Sequence, residues 1–267
     1  MKMIKIKNRI LLIVPAVLLF AMSLTSCKKD DANSGTASTA IKVTDASSDD
    51  VNVSGTFVTI AEIKVDGQTV TGFTKTTVDL AAYQNGSTKT IGTFNLEGKN
   101  YSSITFVLDF DTDASGTAPG CYVLTTGNVK HKLSTTSNVI TVTKNFTLQS
   151  DASNAIVADF DLRKMIVAQA GTPADQYDFA TAAELQNDVR VVVETNAGTI
   201  SGTLTDGVSG STKVVAYAYK KGTYNRTTEM SGQGSSNVQF KNAVTSALVG
   251  AGGSYQLHFL EILFDIH

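Results

Sequence analysis

The sequence predicts an all-β chain of two antiparallel β-sandwich domains, preceded by an N-terminal export segment and a short flexible tether. Three observations carry this. About one residue in eight is Thr, and Val and Ile are frequent, the composition of pleated, half-buried strands. Apolar and polar residues alternate at period two, as in Ile63-x-Val65 and in Ile104, Phe106 and Leu108 against Thr105 and Val107. Asp66-Gly67, Asn85-Gly86 and Asp206-Gly207 are dipeptides suited to the φ > 0 positions of tight hairpin turns. Hydrophobic residues are 42% of the chain and charged residues 17%, which suits a packed core and excludes wholesale disorder. The formal net charge is −2. With no basic excess to neutralise phosphates, nucleic acid is not an expected partner.

The first element is the export segment, residues 1–26. Lys2, Lys5, Lys7 and Arg9 precede an apolar run from Ile10 to Met22. A charged start, a short apolar run and a small-residue boundary make a secretory signal. The run spans about 20 Å as a helix, short of a hydrocarbon core of about 30 Å. Leu24-Thr25-Ser26-Cys27 resembles the bacterial lipobox. The resemblance implies that Cys27 takes a diacylglycerol thioether and becomes the mature N-terminus, so the partner there is a membrane reached through a lipid anchor. Lys28, Lys29, Asp30 and Asp31 follow and resemble the export signal of surface lipoproteins. An outer-membrane lipoprotein is expected, exposed at the cell surface, with a periplasm-facing orientation as the alternative. Cleavage before Cys27 leaves a net charge of −6.

Residues 27–40 are the lipidated Cys and a tether of Lys, Asp, Asn, Ser, Thr, Gly and Ala, too polar and small to form a core. A first β-sandwich is expected over 41–195. Its strands are read at Val51-x-Val53, Ile63-x-Val65, Tyr101–Asp109, Val139–Val142, Phe146–Leu148, Ala155–Phe160 and Val189–Val193. Asp175–Asn187 reads as a short helix or a loop over one sandwich end. A boundary falls at Glu194–Asn196, and a second pattern starts at Thr199 and runs to the end, so 196–267 is a second β domain. Cys121 sits beside Tyr122, Val123 and Leu124 and reads as a small buried hydrophobe.

The first domain opens with Val43-Thr44-Asp45-Ala46 and continues with Val78-Asp79-Leu80. Then come Tyr101-x-x-Ile104-x-Phe106-x-Leu108-Asp109 and Asp159-Phe160-Asp161-Leu162-x-Lys164-x-Ile166-Val167. This ordered set resembles a family of secreted bacterial and archaeal lipoproteins filed as a domain of unknown function. Its usual Thr-Asp-Ala-Pro opening has Ser47 in place of Pro here. The resemblance implies architecture and location but no activity. The second domain resembles transthyretin-like, carboxypeptidase-regulatory-like modules. The residues that carry this are Gly198-x-Ile200-x-Gly202-x-Leu204-x-Asp206, Val214-x-Ala216-x-Ala218 and Gly252-Gly253-Ser254-Tyr255-x-Leu257. It implies a seven-stranded sandwich, here with an incomplete last strand over Leu260–His267.

No Gly-x-Ser-x-Gly elbow, His-Glu-x-x-His or phosphate-binding loop is present. His131, His258 and His267 have no ligand spacing. The expectation is therefore a non-enzyme, with no catalytic residue and no cofactor. Asp109, Asp111 and Asp113 alternate before Gly116, a pattern that can converge on Ca²⁺. Ala114 and Gly120 stand where an EF-hand needs Gly and Glu, so the alternative is an acidic turn. Asp159 and Asp161 flank Phe160 and read as a solvated strand face with Phe160 inward. There is no Trp, but Tyr217, Tyr219 and Tyr224 offer a small platform for stacking a sugar ring. Together these readings describe a lipid-anchored envelope protein that binds glycan or protein ligands. The alternative is a structural, pilus-like adhesive subunit assembled by strand donation.

Overall fold

A computed structural model describes residues 35–46, 52–168, 177–205 and 213–262. The export segment, Cys27 and Lys28–Asp31 lie outside the described residues, as do Asp206-Gly207 and His267. The first strands are β1 (Thr36–Asp45), β2 (Val53–Val65), β3 (Gln68–Thr69), β4 (Thr76–Asp79), β5 (Lys89–Glu97) and β6 (Asn100–Leu108). β7 (Tyr122–Thr125), β8 (Lys130–Lys132), β9 (Val139–Thr147) and β10 (Ser153–Phe160) follow. Then come β11 (Ile166–Ala168), β12 (Tyr177–Phe179), β13 (Val189–Val193) and β14 (Ala197–Thr203). β15 (Val215–Ala218), β16 (Thr245–Leu248) and β17 (Ser254–Glu261) complete the set. Short helices span Leu162–Met165, Ala182–Asp188 and Arg226–Met230.

The fold is all-β, as the alternation and the turn dipeptides predict. Asp66 and Gly67, at φ 47° and 76°, close β2 onto β3. Asn85 and Gly86 make a second turn at φ 54° and 82°. One sheet has the order β13-β10-β1-β5. The other is built around the long β2, with β3 and β4 on one edge. Along the opposite edge run β6 and then β7, since Leu108 faces Ile60 and Tyr122 faces Phe57. They behave as one strand interrupted by the 109–121 excursion. β9 and β8 pair β6 and β7 in turn.

The core lies between these sheets. Ile41, Val43, Ile156, Ala158 and Phe160 from the first sheet meet Ile60, Ile63, Ile104, Phe106 and Ile140 from the second, all buried. Phe106 and Phe160 meet edge to face across the gap at 5.4 Å. Burying one such side chain is worth about 1.5–3 kcal/mol. Cys121 belongs to the same core, fully buried and free.

Three readings are corrected and one pair of alternatives is decided. The tether does not extend to residue 40: Thr36–Ala40 form the first half of β1, with Ala37 and Thr39 fully buried. β1 lies between β5 and β10, so position in the sheet buries side chains whose polarity suggested solvent. The pairing is not wholly antiparallel either, because β1 and β10 run parallel from Ser38↔Ser153 to Asp45↔Phe160. Of the two alternatives for 175–187, the helix is present: the described residues from 177 form β12 and the Ala182–Asp188 helix. That helix starts at a capping box, with Thr181 and Glu184 satisfying each other's backbone donors. Finally, the described residues after Asn196 do not form seven strands in a sandwich. They form two ladders, β14-β17 and β15-β16, and lie over the outer face of the first sheet.

Candidate functional site

That covering explains the reversal at Asp159 and Asp161. Asp159 points away from the core, as period two requires. Its face is roofed by the C-terminal segment, and Asp159 and Asp161 are only 4% and 5% exposed. Both faces of β10 are buried, so alternation alone does not find solvent.

The two motifs at either end of the first domain meet here. Parallel pairing sets Thr44 beside Asp159 and Asp45 beside Phe160. The antiparallel neighbour then sets Arg190 beside Asp159. Asp45 accepts hydrogen bonds from the Leu162 N–H at 3.1 Å and from Gln84 Nε2 at 2.9 Å. Burial, with Asp159 and Asp161 nearby, raises its pKa well above the carboxylate range. Asp159 accepts from Arg190 Nη2 at 2.6 Å. Burial outweighs that partner and raises its pKa too. Asp161 takes Lys164 Nζ at 2.9 Å and Arg163 Nη2 at 3.3 Å.

These cations also hold the C-terminal segment. Arg163 donates to the carbonyls of Gln239 at 2.7 Å and Phe240 at 3.2 Å. Lys164 donates to Ala243 O at 2.6 Å, and Arg190 donates to Phe259 O. Each cation thus joins a carboxylate of the first sheet to backbone of the covering segment. Asp188, at the end of its helix, is 3% exposed. Burial pushes its pKa up to about 7, against the pull of Lys164.

Two clefts flank this seam. The larger, about 910 Å³, is lined by Arg163, Asp178, Tyr217, Ser236, Asn237 and Phe240 among others. Tyr217 and Phe240 stack at 4.5 Å and 17°, and the Arg163 guanidinium lies 5.1 Å over the Tyr217 ring. Phe240 has φ 51°, a left-handed backbone that is costly for a bulky residue, about 1–3 kcal/mol. It is held there by its N–H donating to Glu229 O at 2.7 Å and its carbonyl accepting from Arg163. The second cleft, about 700 Å³, is lined by Asp159, Asp161, Lys164, Asp188, Arg190 and Lys241 among others.

The three tyrosines do not form one platform. Tyr217 pairs with Phe240 in the larger cleft, whereas Tyr219 packs on Tyr224 at 4.9 Å. Tyr219 donates its hydroxyl to buried Glu229 at 3.0 Å. Phe240, the ring that completes the cleft, carries no sequence signal: it sits in a Ser-, Gly- and Asn-rich stretch without periodicity.

The Ca²⁺ reading is corrected as well. Asp109 accepts from Lys75 Nζ at 2.7 Å and from the backbone of Asp111 and Thr112. These bonds, led by Lys75, hold its pKa down at about 2. Asp111 faces Lys132 at 2.8 Å. Asp113 closes its own turn through Ser115 and Thr117. Each carboxylate serves a different part of the excursion. Among the described residues, no group of three His, Cys, Asp or Glu is placed to hold a metal. His131 packs edge-on to Tyr177, and His258 lies half-buried against Gly86.

The fold defines an all-β protein whose first sandwich carries its motif residues at a buried, charged seam. The family described as "Domain of unknown function (DUF4382)" matches residues 36–180, and the chain belongs to it. Curated proteins and solved structures give no match. Among the described residues no helix is long and apolar enough to cross a membrane.

Proposed function

We propose that this chain is a lipid-anchored cell-envelope protein that binds carbohydrate, without catalysing a reaction on it, in the cleft over Tyr217 and Phe240. One observation carries the reading. A stacked aromatic pair lies on the wall of a 910 Å³ cleft otherwise rich in Ser, Thr, Asn and Gln. Sugar rings present apolar faces and hydroxyl edges, and such a wall offers both half-buried aromatic rings and hydrogen-bonding side chains. The left-handed backbone at Phe240 supports it, because strain of this kind collects where a side chain must be held in place. Cys27 is the proposed attachment point, and the cell surface the proposed location.

The test is a glycan array probed with the full chain in detergent. Selective binding that Tyr217→Ala and Phe240→Ala each abolish is the expected result. A blank array, or binding that survives both changes, overturns the reading. Membrane fractionation of Cys27→Ala tests the anchor, with release into the soluble fraction expected.

The structural, adhesive reading is favoured by a different observation. Ile200 and Ile262 are 54% and 44% exposed on and beside the β14-β17 ladder, and β14 pairs only β17 among the described residues. Concentration-dependent oligomers lost in Ile200→Lys would support assembly through that edge.

A further inference from the structure

One carboxylate on the wall of the second cleft has no ion-pair partner among the described residues. Arg190 is paired with Asp159 at 2.6 Å and Lys164 with Asp161 at 2.9 Å. Lys241 is paired with Glu184 at 2.5 Å and Lys144 with Glu261 at 2.8 Å. Asp188 is the carboxylate left over. It is 97% buried, and its Oδ2 has no hydrogen-bond donor among the described residues. Asp159 and Asp161 each leave one buried oxygen, Oδ1, in the same condition.

Among the described residues three carboxylate oxygens around this cleft therefore lack donors, while the buried Nε–H groups of Arg163 and Arg190 lack acceptors. The cations that face Asp188 from neighbouring elements cannot supply those donors. Lys164, on the Leu162–Met165 helix, is committed to Asp161 and the Ala243 carbonyl. Lys241, on the covering segment, is committed to Glu184. Asp161 and Glu184 add negative charge from the other sides.

We propose that this cleft binds a small molecule through a primary ammonium group, with Asp188 as the counter-ion. An ammonium brings a full positive charge and three donors on one centre. A hydroxyl brings one donor and no charge. A divalent cation does not fit, since no group of three ligating side chains converges among the described residues. In a buried site the attraction between unlike charges is far larger than in water. Without ligand a proton takes the place of the ammonium, because burial holds the Asp188 carboxyl protonated up to about pH 7. Binding below that pH must expel the proton.

The site is separate from the carbohydrate cleft, and its test separates the two. Calorimetry on the full chain compares cadaverine and glucosamine with 1,5-pentanediol and N-acetylglucosamine, which lack the ammonium. At least one amine is expected to bind the Tyr217→Ala chain, whose carbohydrate cleft is disabled, while both amine-free compounds give that chain no heat. Cadaverine alone would point to polyamine-type ligands, and glucosamine alone to amino sugars. Asp188→Asn is expected to weaken amine binding by at least about tenfold, and Tyr217→Ala to leave cadaverine binding unchanged. In buffers of different ionisation heat, either amine should release close to one proton at pH 6; at pH 8.5 cadaverine should release close to none, and glucosamine, largely unprotonated there, should take one up. That readout needs only the unmodified chain, so it decides the matter even if Asp188→Asn does not fold. Equal heats with the amine-free compounds, no binding by either amine, or binding without proton release at pH 6 would overturn the proposal.

Discussion

Strand β10 is buried on both sides by opposite means. Toward the core it presents Ile156, Ala158 and Phe160, which pack on Phe106 and its neighbours and need no partner but shape. Away from the core it presents Val157 and Asp159, the latter inside a cluster with Arg190, Asp161 and Lys164. The apolar face is held by area and packing density. The charged face is held by geometry, because buried charges repay their desolvation only when each meets a partner. Asp45, Asp159 and Asp188, whose pKa values are all raised, show that the repayment is incomplete. A face that is incompletely satisfied without ligand is a better place to look for binding than one that is closed.

The largest expected effect is on the apolar side. Phe160→Ala removes the ring that meets Phe106 between the sheets and should cost about 3–5 kcal/mol, measured by urea denaturation. The loss should depend little on pH, since the ring carries no ionisable group and Asp45, beside it in register, keeps Leu162 and Gln84 as donors.

Lys164→Ala attacks the other side. It strips Asp161 of its closer cation and leaves the Ala243 carbonyl without its donor. A buried pair broken at one member costs about 3–5 kcal/mol. Arg163 stays on Asp161, so the lower end is expected. Unlike Phe160→Ala, this loss should persist in Lys164→Met, which keeps the apolar stem and removes only the ammonium. A Lys164→Met chain as stable as the parent would mean that Lys164 acts by packing alone and would erase the contrast between the faces.

Asp188→Asn should act in the opposite direction. Its folded pKa is raised above the ordinary carboxylate value, so the native state keeps a proton that the unfolded chain has given up. The stability tied to that proton is full below about pH 4 and is lost as pH rises toward 7. At about 1.36 kcal/mol per unit the loss is at most about 4 kcal/mol at pH 8. Asn carries no charge, so the variant should be more stable than the parent at pH 8 and close to it at pH 4. A parent stability that is flat between pH 4 and pH 8 would refute the account.

Much of this fold was legible in the sequence. Alternation located β6, and Asp66-Gly67 located the turn after β2, because period and φ > 0 are local properties. The tight pattern at Val189–Val193 located β13 for the same reason. Other features were not legible because they depend on what a segment meets. Thr36–Ala40 look like tether until β5 and β10 flank them. Asp159 looks solvated until the covering segment roofs it. The aromatic half of the larger cleft was found only at Tyr217. Its stacking partner Phe240 is brought there by a left-handed turn that composition does not encode.

The smallest effects separate residues that the sequence makes equivalent. Asp109 and Asp111 are the same residue two positions apart in one excursion. Asp109 binds Lys75 and two backbone N–H groups and ties the loop to the strand region before β4. Asp111 has an exposed ion pair with Lys132, with side chains 84% and 49% exposed. Asp109→Ala should cost about 1–2 kcal/mol, as hydrogen bonds to a charged group are lost. Asp111→Ala should change stability by less than about 0.5 kcal/mol. A chelator should leave the melting temperature of both variants and the parent where it was. If Ca²⁺ raised the parent's melting temperature and neither variant's, the three carboxylates would be converging on a cation after all. The separate partners found for Asp109, Asp111 and Asp113 would then describe only the metal-free loop.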